Sequence, residues 1–344
     1  MEQKIVLPAE WHPQSAVQLT WPTEWTDWAN DLVEVTTCYV AIAKEIAKRQ
    51  KLLIVCSNKA DVRRRLGKIN FDNVIFRVVD TNDTWARDHG GITVFINNKP
   101  VIYDFTFNGW GLKFPADCDN MITSNLHVLK TFKKTKLVNM KPFVLEGGSI
   151  ESDGKGTLLT TVDCLTSINR NDHLSQEQIE THLKKIFGLS RVLWLENGYL
   201  EGDDTDGHID MLARFCDENT ITYVTCENEN EEYRYLENMR MMEDELKSFR
   251  TLEGKPYRLI PLPMAEKIIA YGERLPASYA NFLIINGAVL MPFYKSNKDC
   301  IAKKQLQIAF PDREIIGIDC RILVTQGGSL HCATMQYPEG VTIS

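Results

Sequence analysis

The stretch QGGSLHC, residues 326–332, places a cysteine just after a glycine-bearing turn near the end of the chain. Four earlier stretches have a similar form, a small glycine-bearing turn that leads into apolar residues: DHGGITV (88–94), EGGSIES (146–152), DGHIDML (206–212) and INGAVLM (285–291). Glycine lets a backbone turn tightly or approach other groups closely, although glycines before strands are also common without any repeat. The uneven spacing excludes a short solenoid period. The pattern indicates five similar strand–helix units whose turns converge on one pocket.

Helical and strand patterns alternate along the whole chain. Leu32, Val35, Tyr39, Ile42 and Ile46 recur at helical spacing, which predicts a helix with one buried face. Short apolar runs between such helices predict buried strands. The predicted helices cover roughly 32–46, 179–187, 231–250 and 299–309, and the predicted strands are 52–56, 74–80, 191–195, 257–263 and 314–320. Because no linker or low-complexity tract interrupts this pattern, we predict one α/β domain, residues 1–344.

The composition limits the class of partner. The chain has a net charge of −7 with acidic and basic residues interspersed, whereas phosphate binding needs clustered basic residues; we therefore expect no nucleic-acid partner. The longest mostly apolar stretch, residues 281–294, is too short and too interrupted to span a bilayer, and the N-terminal residues lack the apolar region of a secretory signal. Nine cysteines without a Cys-x-x-Cys pair are most simply explained by a reduced cytoplasmic compartment.

The turns carry side chains that suggest a chemistry: Asp88, Glu146, His208, Asp210 and Cys332. Taken singly, a buried thiol is usually an inert hydrophobe, and an acidic residue beside glycine is usually a turn residue. Together they offer more, because a thiolate is a nucleophile and an imidazole can carry a proton. The carboxylates would repel the oxyanion formed by attack on an amide, but they suit a planar guanidinium, which pairs bidentately with carboxylates. A cationic amidine or guanidine substrate is therefore favoured.

Ten motifs occur in order along nearly the whole chain. They are PAEW (8–11), TWP (20–22), WARD (85–88), FNGWG (107–111), LEGGS (145–149), DGKGTLLTT (153–161), NRN (169–171), DTDGHID (204–210), SYANF (278–282) and GGSLHC (327–332). This set resembles the agmatine deiminases, which belong to the guanidine-modifying pentein superfamily and are close to the bacterial-type peptidylarginine deiminases. The resemblance implies the pentein fold, a five-bladed α/β propeller of ββαβ repeats with pseudo-fivefold symmetry around a central site.

The resemblance also implies roles for individual residues. Cys332 would attack the guanidinium carbon, and His208 would protonate the departing ammonia and then activate water. Asp88 and Asp210 would hold the guanidinium nitrogens, with Glu146 assisting them or holding His208. Further contacts with the substrate are implied for Trp85, Trp110, Asp204 and Gly328.

His331 adjoins Cys332 in sequence, but we do not expect it to be the catalytic base. Neighbouring residues on a strand point to opposite faces, so a residue from another unit would have better geometry. His331 and Cys332 are here both expected to lie on the strand that follows the last turn.

The implied reaction converts agmatine to N-carbamoylputrescine and ammonia through a covalent amidino-cysteine intermediate. No metal or organic cofactor is expected, and the resemblance implies a cytoplasmic homodimer that serves putrescine and polyamine biosynthesis.

Three alternatives to this function stay open. The substrate could be free arginine or peptidyl-arginine; the protein could be a metal-dependent hydrolase, since Asp, Glu, His and Cys are also metal ligands; or it could be a degenerate pentein that only binds.

Overall fold

The computed structural model describes residues 3–225, 233–270 and 272–344. Strands and helices alternate through these residues, which confirms the mixed α/β class. The strands are β1 Ile5–Val6, β2 Gln14–Thr20, β3 Lys51–Cys56, β4 Val74–Val78, β5 Ile92–Ile96, β6 Lys99–Thr106, β7 Phe132–Lys133, β8 Lys136–Val144, β9 Glu151–Ser152, β10 Thr157–Thr161, β11 Arg191–Leu195, β12 Ala213–Asp217, β13 Thr220–Thr225, β14 Arg258–Pro263, β15 Ile269–Ala270, β16 Glu273–Arg274, β17 Leu283–Ile285, β18 Ala288–Phe293, β19 Glu314–Asp319, β20 Thr334–Pro338 and β21 Thr342–Ile343. The helices are α1 Leu32–Ala47, α2 Lys59–Leu66, α3 Ala86–His89, α4 Gly109–Leu112, α5 Ile122–Val128, α6 Val162–Leu165, α7 Gln176–Phe187, α8 Tyr233–Ser248, α9 Lys298–Ala309 and α10 Arg321–Val324, with single 3-10 turns at Ala29–Asp31, Phe71–Asn73, Asp119–Met121, Gly147–Ser149 and Ile209–Met211.

Five sheets share one local plan, in which two antiparallel strands are followed by a strand parallel to the second. The five sets are β5–β6–β8, β9–β10–β11, β12–β13–β14, β17–β18–β19 and β20–β2–β3. At least one helix separates the second strand of each set from the third, as a parallel neighbour requires a crossover connection. The order strand–strand–helix–strand therefore recurs along the chain.

The fifth set joins the two ends of the chain. β20, which follows Cys332, pairs antiparallel with β2, so that Val17 lies opposite Gln336. β2 pairs in parallel with β3. This pairing fixes the C-terminal segment that carries Cys332 against the N-terminal segment.

Most elements predicted from periodicity are confirmed. The helix expected over roughly 32–46 is α1, which buries Val35, Tyr39, Ile42 and Ile46 as its spacing predicted. The strand expected over residues 191–195 is β11. The other predictions correspond to α7, α9, β3, β4, β14 and β19. α8 matches the helix expected over roughly 231–250, of which residues 231 and 232 lie outside the described part.

One of the five glycine turns was misassigned. Asn286 and Gly287 form the two-residue hairpin between β17 and β18, with Ile285 opposite Ala288, and this hairpin lies at the far end of β17 from the other turns. Asn-Gly is a common hairpin sequence, which explains why this stretch resembled the rest. The segment before β17, residues 278–282, takes the place expected for the fourth turn.

The last turn also differs from expectation. β20 begins at Thr334, so His331 and Cys332 lie in the turn before the strand and not on it. The argument that the two side chains must point to opposite faces of a strand is therefore wrong, and the role of His331 depends on its contacts.

Apolar faces of the helices and sheets form the core. The buried face of α1 packs with Leu52 and Ile54 of β3 and with Leu323 of α10 in one cluster, and burying an aliphatic side chain of this size contributes about 1.5–3 kcal/mol. Across residues 3–225, 233–270 and 272–344, no helix has the length and hydrophobicity that crossing a membrane requires. The cysteines in this part are free thiols.

Candidate active site

Cys332 is held by a side chain from the segment that precedes β17. The side-chain oxygen of Asn281 accepts hydrogen bonds from the backbone N–H groups of His331 at 2.9 Å and Cys332 at 3.3 Å. Its amide nitrogen lies 3.2 Å from the Cys332 sulfur, and the thiol donates to Oδ2 of Asp210 at 3.7 Å. Cys332 is only 5% exposed. Its sulfur thus lies between the side-chain N–H of Asn281 and the carboxyl group of Asp210.

Gly148 marks the point where three of the predicted groups meet. An ideal Cβ on Gly148 would stand 2.5 Å from Nδ1 of His208, 2.9 Å from Oδ1 of Asp88 and 3.2 Å from Oδ2 of Asp210. The backbone N–H of Gly148 donates to Oδ1 of Asp88 at 3.0 Å. Since Asp210 also contacts Cys332, an imidazole, two carboxyl groups and a thiol converge on one small volume.

The convergence of acidic groups disfavours further negative charge in this site. Burial, with the charges of Asp210 and Asp88, raises the pKa of the Cys332 thiol well above its usual value. Burial and the neighbouring Glu146 raise the pKa of Asp88 to about 7, and burial and Asp88 raise the pKa of Asp210 strongly. A bound cation would reverse these shifts, because it favours each ionised form.

Arg170 ties Glu146 to the loop that carries His208. Its Nε lies 3.0 Å from both carboxylate oxygens of Glu146, while Nη1 donates to Asp206 at 2.6 Å and Nη2 to the backbone oxygen of Thr205 at 2.8 Å. Thr205 in turn accepts from the backbone N–H of His208 at 3.1 Å. Burial and the charge of Arg170 lower the pKa of His208 well below its usual value. The imidazole is therefore neutral.

A cavity of about 140 Å³ leads to this cluster. Trp85, Trp110 and Phe114 form its aromatic wall. Nε1 of Trp110 donates a hydrogen bond to Oδ2 of Asp88 at 3.0 Å, so Trp110 also orients the carboxyl group of Asp88. Trp85 packs directly on Gly328, where a Cβ would stand only 2.3 Å from the indole ring. The cavity is thus shaped for an apolar chain between its aromatic faces.

The outer part of the cavity is acidic. This part is lined by Asp27, which is exposed, and by Asp83 and Asp204, which are half-buried, whereas Cys332 and Asp88 are buried. Burial and Asp27 raise the pKa of Asp83 to about 7, and burial and Asp203 raise the pKa of Asp204 to about 6. Carboxyl groups therefore line both the buried part of the cavity and its more exposed part.

The structure brings all nine predicted site residues to one place. Cys332, Asp210, His208, Asp88 and Glu146 lie in the inner cluster, and Trp85, Trp110, Asp204 and Gly328 line the cavity. Sequence reasoning missed five others: Asn281, Arg170, Asp27, Asp83 and Phe114. Asn281 and Arg170 occur within the motifs SYANF and NRN, but nothing in either motif indicates a role. The carboxylates of the outer part lie in irregular segments without a periodic signal.

Glu146, Cys164 and His208 form a set of groups that could hold a metal ion. One ligand atom of each lies within 4.8 Å of the other two, and all three residues are buried. In the described part of the chain, neither ring nitrogen of His208 has a hydrogen-bond partner. The carboxylate of Glu146 is, however, already paired with the Arg170 guanidinium, whose positive charge would oppose a metal cation at this position.

Comparison with protein families gives one match that covers nearly the whole chain. The family is described as Porphyromonas-type peptidyl-arginine deiminase, and its model matches residues 6–338. The match spans every residue of the inner cluster and of the cavity.

Individual relatives agree with that match. A structure from Porphyromonas gingivalis, provisionally described as an arginine deiminase, is 53% identical with a TM-score of 0.95 over 99% of this chain and 100% of its own. A cysteine-to-serine variant of the C. jejuni agmatine deiminase, solved with substrate bound, is 41% identical with a TM-score of 0.92 over 99% and 98% of the two chains. The agmatine deiminase of Ectopseudomonas mendocina is 32% identical over 96% of this chain and 95% of its own.

Proposed function

The chain belongs to the Porphyromonas-type peptidyl-arginine deiminase family, and from this premise we propose that it hydrolyses agmatine to N-carbamoylputrescine and ammonia. Relatives named agmatine deiminase match it over 95% and 98% of their own length. The observation that carries the proposal is the distribution of carboxyl groups. They lie beside the thiol in the buried part of the cavity and recur among its more exposed lining residues, and agmatine carries a positive charge at each end.

The inner cluster supports attack by sulfur on a guanidinium carbon. When the cation enters between Asp88 and Asp210, the thiol pKa falls, and the neutral His208 can accept the thiol proton. The thiolate forms a C–S bond, the C–N bond breaks, and His208 returns the proton to the departing ammonia. Water then adds to the amidino-cysteine carbon with His208 as base. The C–S bond breaks, sulfur regains a proton, and a ureido product leaves.

The outer carboxyl groups distinguish agmatine from arginine. Agmatine ends in an ammonium group, which Asp27, Asp83 and Asp204 attract. Free arginine keeps this ammonium group but carries an α-carboxylate on the same carbon, and a like charge there opposes binding. A peptidyl arginine has neutral amide groups instead and would leave these carboxyl groups without a cation.

An ammonia-release assay with agmatine, free arginine and a blocked arginine peptide tests the substrate. We expect kcat/KM for agmatine to exceed the other two values clearly. An equal or larger value for the peptide or for arginine would overturn the agmatine assignment while leaving the deiminase chemistry in place.

Replacement of the nucleophile tests the chemistry. Cys332→Ala should fold normally and lose activity on the order of 10³-fold or more, whereas Cys300→Ala, an exposed cysteine on α9, should match the parent. Mass spectrometry during turnover should detect an amidino adduct on the peptide that contains Cys332. Retained activity in Cys332→Ala would exclude the thiol mechanism.

A metal-dependent hydrolase is the second candidate, favoured only by the cluster of Glu146, Cys164 and His208. Treatment with a chelator separates the two functions. Activity lost with chelator and restored by zinc or manganese would support the metal mechanism. Full activity after exhaustive chelation, with the Cys332 adduct present, would support the thiol mechanism.

The fold and setting of the enzyme extend the same proposal. The five sheets with the order strand–strand–helix–strand support a five-bladed propeller with pseudo-fivefold symmetry, formed by residues 1–344 as one catalytic domain. A cytoplasmic location, a homodimer and a place in putrescine and polyamine biosynthesis stay predictions from the family resemblance.

A further inference from the structure

The imidazole of His331 lies between two buried carboxyl groups. Nδ1 is 2.7 Å from Oδ2 of Asp210, and Nε2 is 2.7 Å from Oε2 of Glu10. His331 is 2% exposed, Asp210 is fully buried and Glu10 is 7% exposed. Two polar atoms approach this closely only when a hydrogen lies between them. The series Glu10–His331–Asp210 therefore contains two hydrogen bonds and needs two protons.

With Glu10 ionised beside the Arg214 guanidinium, two arrangements of these protons satisfy both contacts. In one, an imidazolium donates to two carboxylates. In the other, a neutral imidazole donates to Glu10 and accepts from a protonated Asp210, since neutral imidazole offers one donor and one acceptor. The two arrangements hold the same number of protons and differ only in whether one proton sits on Oδ2 of Asp210 or on Nδ1 of His331.

The charged groups around His331 decide which of the two proton arrangements is favoured. Arg214 on β12 places Nη2 3.0 Å from Nε2 of His331 and 2.7 Å from Oε2 of Glu10. Arg87 on α3 reaches the backbone oxygen of His331, with Nε at 3.5 Å. Burial and these two guanidinium groups lower the pKa of His331.

The two ends of the series differ. Against the effect of burial, the guanidinium of Arg214 lowers the pKa of Glu10, so Glu10 is ionised. Asp210 faces Asp88 and the Cys332 thiol, and burial with Asp88 raises its pKa. Without substrate the imidazole is therefore neutral, and Asp210 carries the second proton.

Binding of a guanidinium reverses the preference at Asp210. In the described part of the chain, its Oδ1 is buried without a hydrogen-bond partner, so this oxygen can accept from a substrate N–H. A cation beside it favours the carboxylate over the acid. The displaced proton has an acceptor at 2.7 Å, Nδ1 of His331.

We propose that His331 is a positioning residue that takes the proton of Asp210 when a guanidinium substrate binds and returns it when the product leaves. This inference rests on the proposed function. The Oδ2–H bond of Asp210 breaks and the Nδ1–H bond forms, with no change in the number of protons or electrons. The resulting imidazolium is stabilised between two carboxylates, and Asp210 grips the substrate without releasing this proton to solvent.

Proton counting by titration calorimetry tests the inference. Agmatine is titrated into Cys332→Ser protein, which stops turnover, in buffers with different ionisation enthalpies. A second protein carries His331→Asn in addition, which removes the internal proton acceptor. Agmatine binding to this protein should release about one additional proton to the buffer. Its affinity for agmatine should also rise with pH more steeply than that of Cys332→Ser protein, by close to tenfold more per pH unit. Adding His89→Asn instead is the matched control, because His89 contacts Thr20 and should leave the count unchanged. Equal counts and equal pH dependence in all three proteins would overturn the inference.

A measurement on the unaltered His331 covers the case in which His331→Asn does not fold. In ¹⁵N-histidine-labelled Cys332→Ser protein, the ring nitrogens of His331 should change from the neutral to the imidazolium pattern when agmatine binds. Agmatine binding with a persistently neutral imidazole would refute the proton transfer alone. Absence of ammonia release from agmatine by the parent enzyme would instead refute the proposed function.

Discussion

The side-chain amide of Asn281 contacts Cys332 twice, with its nitrogen 3.2 Å from the sulfur and its oxygen 3.3 Å from the backbone nitrogen. One planar group therefore fixes the backbone of the nucleophile and offers a donor to the sulfur. Another close polar neighbour of this sulfur is Asp210, whose Oδ2 accepts a hydrogen bond from the thiol. Asn281 is thus positioned to stabilise a thiolate once the substrate has promoted its formation.

Asn281→Ala should lower kcat by about 10- to 100-fold, because hydrogen bonds to charged groups contribute about 1.5–3 kcal/mol. Asn281→Asp should lower it further, since it loses the donor and adds a negative charge near the sulfur. The rate of Cys332 alkylation, followed against pH, should show a higher thiol pKa in both variants. Unchanged kcat in a folded Asn281→Ala protein would remove this role for the amide.

Gly148 is expected to tolerate no side chain. A Cβ there would stand 2.5 Å from Nδ1 of His208 and 2.9 Å from Oδ1 of Asp88, distances at which one of these groups must move. Misplacement of a catalytic group by about 1 Å can cost roughly 100-fold in rate. We therefore expect kcat of Gly148→Ala to fall by about that factor, measured by ammonia release. Parental kinetics in this variant would contradict the convergence of these groups beside Gly148.

Local patterns in the sequence predicted the mixed α/β class and pointed to the residues of the inner cluster. Periodic apolar residues identified α1 and β3, and glycine turns identified four of the five segments that meet at the site. The fifth was missed because Asn286-Gly287 has the signature of a site turn but is a hairpin. Asn281 precedes β17 without a glycine, so only the three-dimensional arrangement reveals that it occupies the equivalent position.

The outer carboxyl groups and the His331 contacts could not be predicted for a different reason. Asp27 and Asp83 lie in irregular segments, and their approach to Asp204 depends on how distant loops pack. The expectation that His331 points away from Cys332 rested on the alternation of side chains along a strand, whereas His331 lies in a turn. Its contacts with Glu10 and Asp210 join residues more than 100 positions apart, which no local pattern encodes.

Ligand-induced stabilisation should increase with pH. The pKa of Asp88 is about 7 in the folded protein, above its value of about 3.9 in the unfolded chain. The folded state therefore binds the extra proton between these values, and this group's contribution to stability falls as pH rises through that window. Agmatine binds best to the ionised form, so below pH 7 it must first displace that proton, and its affinity falls by up to tenfold per pH unit.

The shift in unfolding temperature that agmatine produces in Cys332→Ser protein should consequently be larger at pH 8 than at pH 6. Asp83 and Asp204, with pKa values of about 7 and about 6, act in the same direction. N-carbamoylputrescine is the matched ligand, because its ureido end is neutral and should give a weaker dependence. A shift that stays constant or shrinks as pH rises would contradict ionisation-coupled binding.

The three outer carboxyl groups should set the preference for agmatine over arginine. Asp204→Asn removes a negative charge from the part of the cavity expected to hold the distal ammonium, so KM for agmatine should rise by several-fold to about tenfold, the effect of losing one partly screened charge contact. kcat should change little, because the reacting carbon lies at the other end of the substrate.

The loss of the Asp204 charge also weakens repulsion of the α-carboxylate of arginine, so kcat/KM for arginine should rise relative to kcat/KM for agmatine. Combining Asp204→Asn with Asp83→Asn should enlarge this change. Asp312→Asn, which removes an equal charge from an exposed residue after α9, is the matched control. An Asp204→Asn enzyme with unchanged selectivity would show that the outer carboxyl groups do not read the distal end of the substrate.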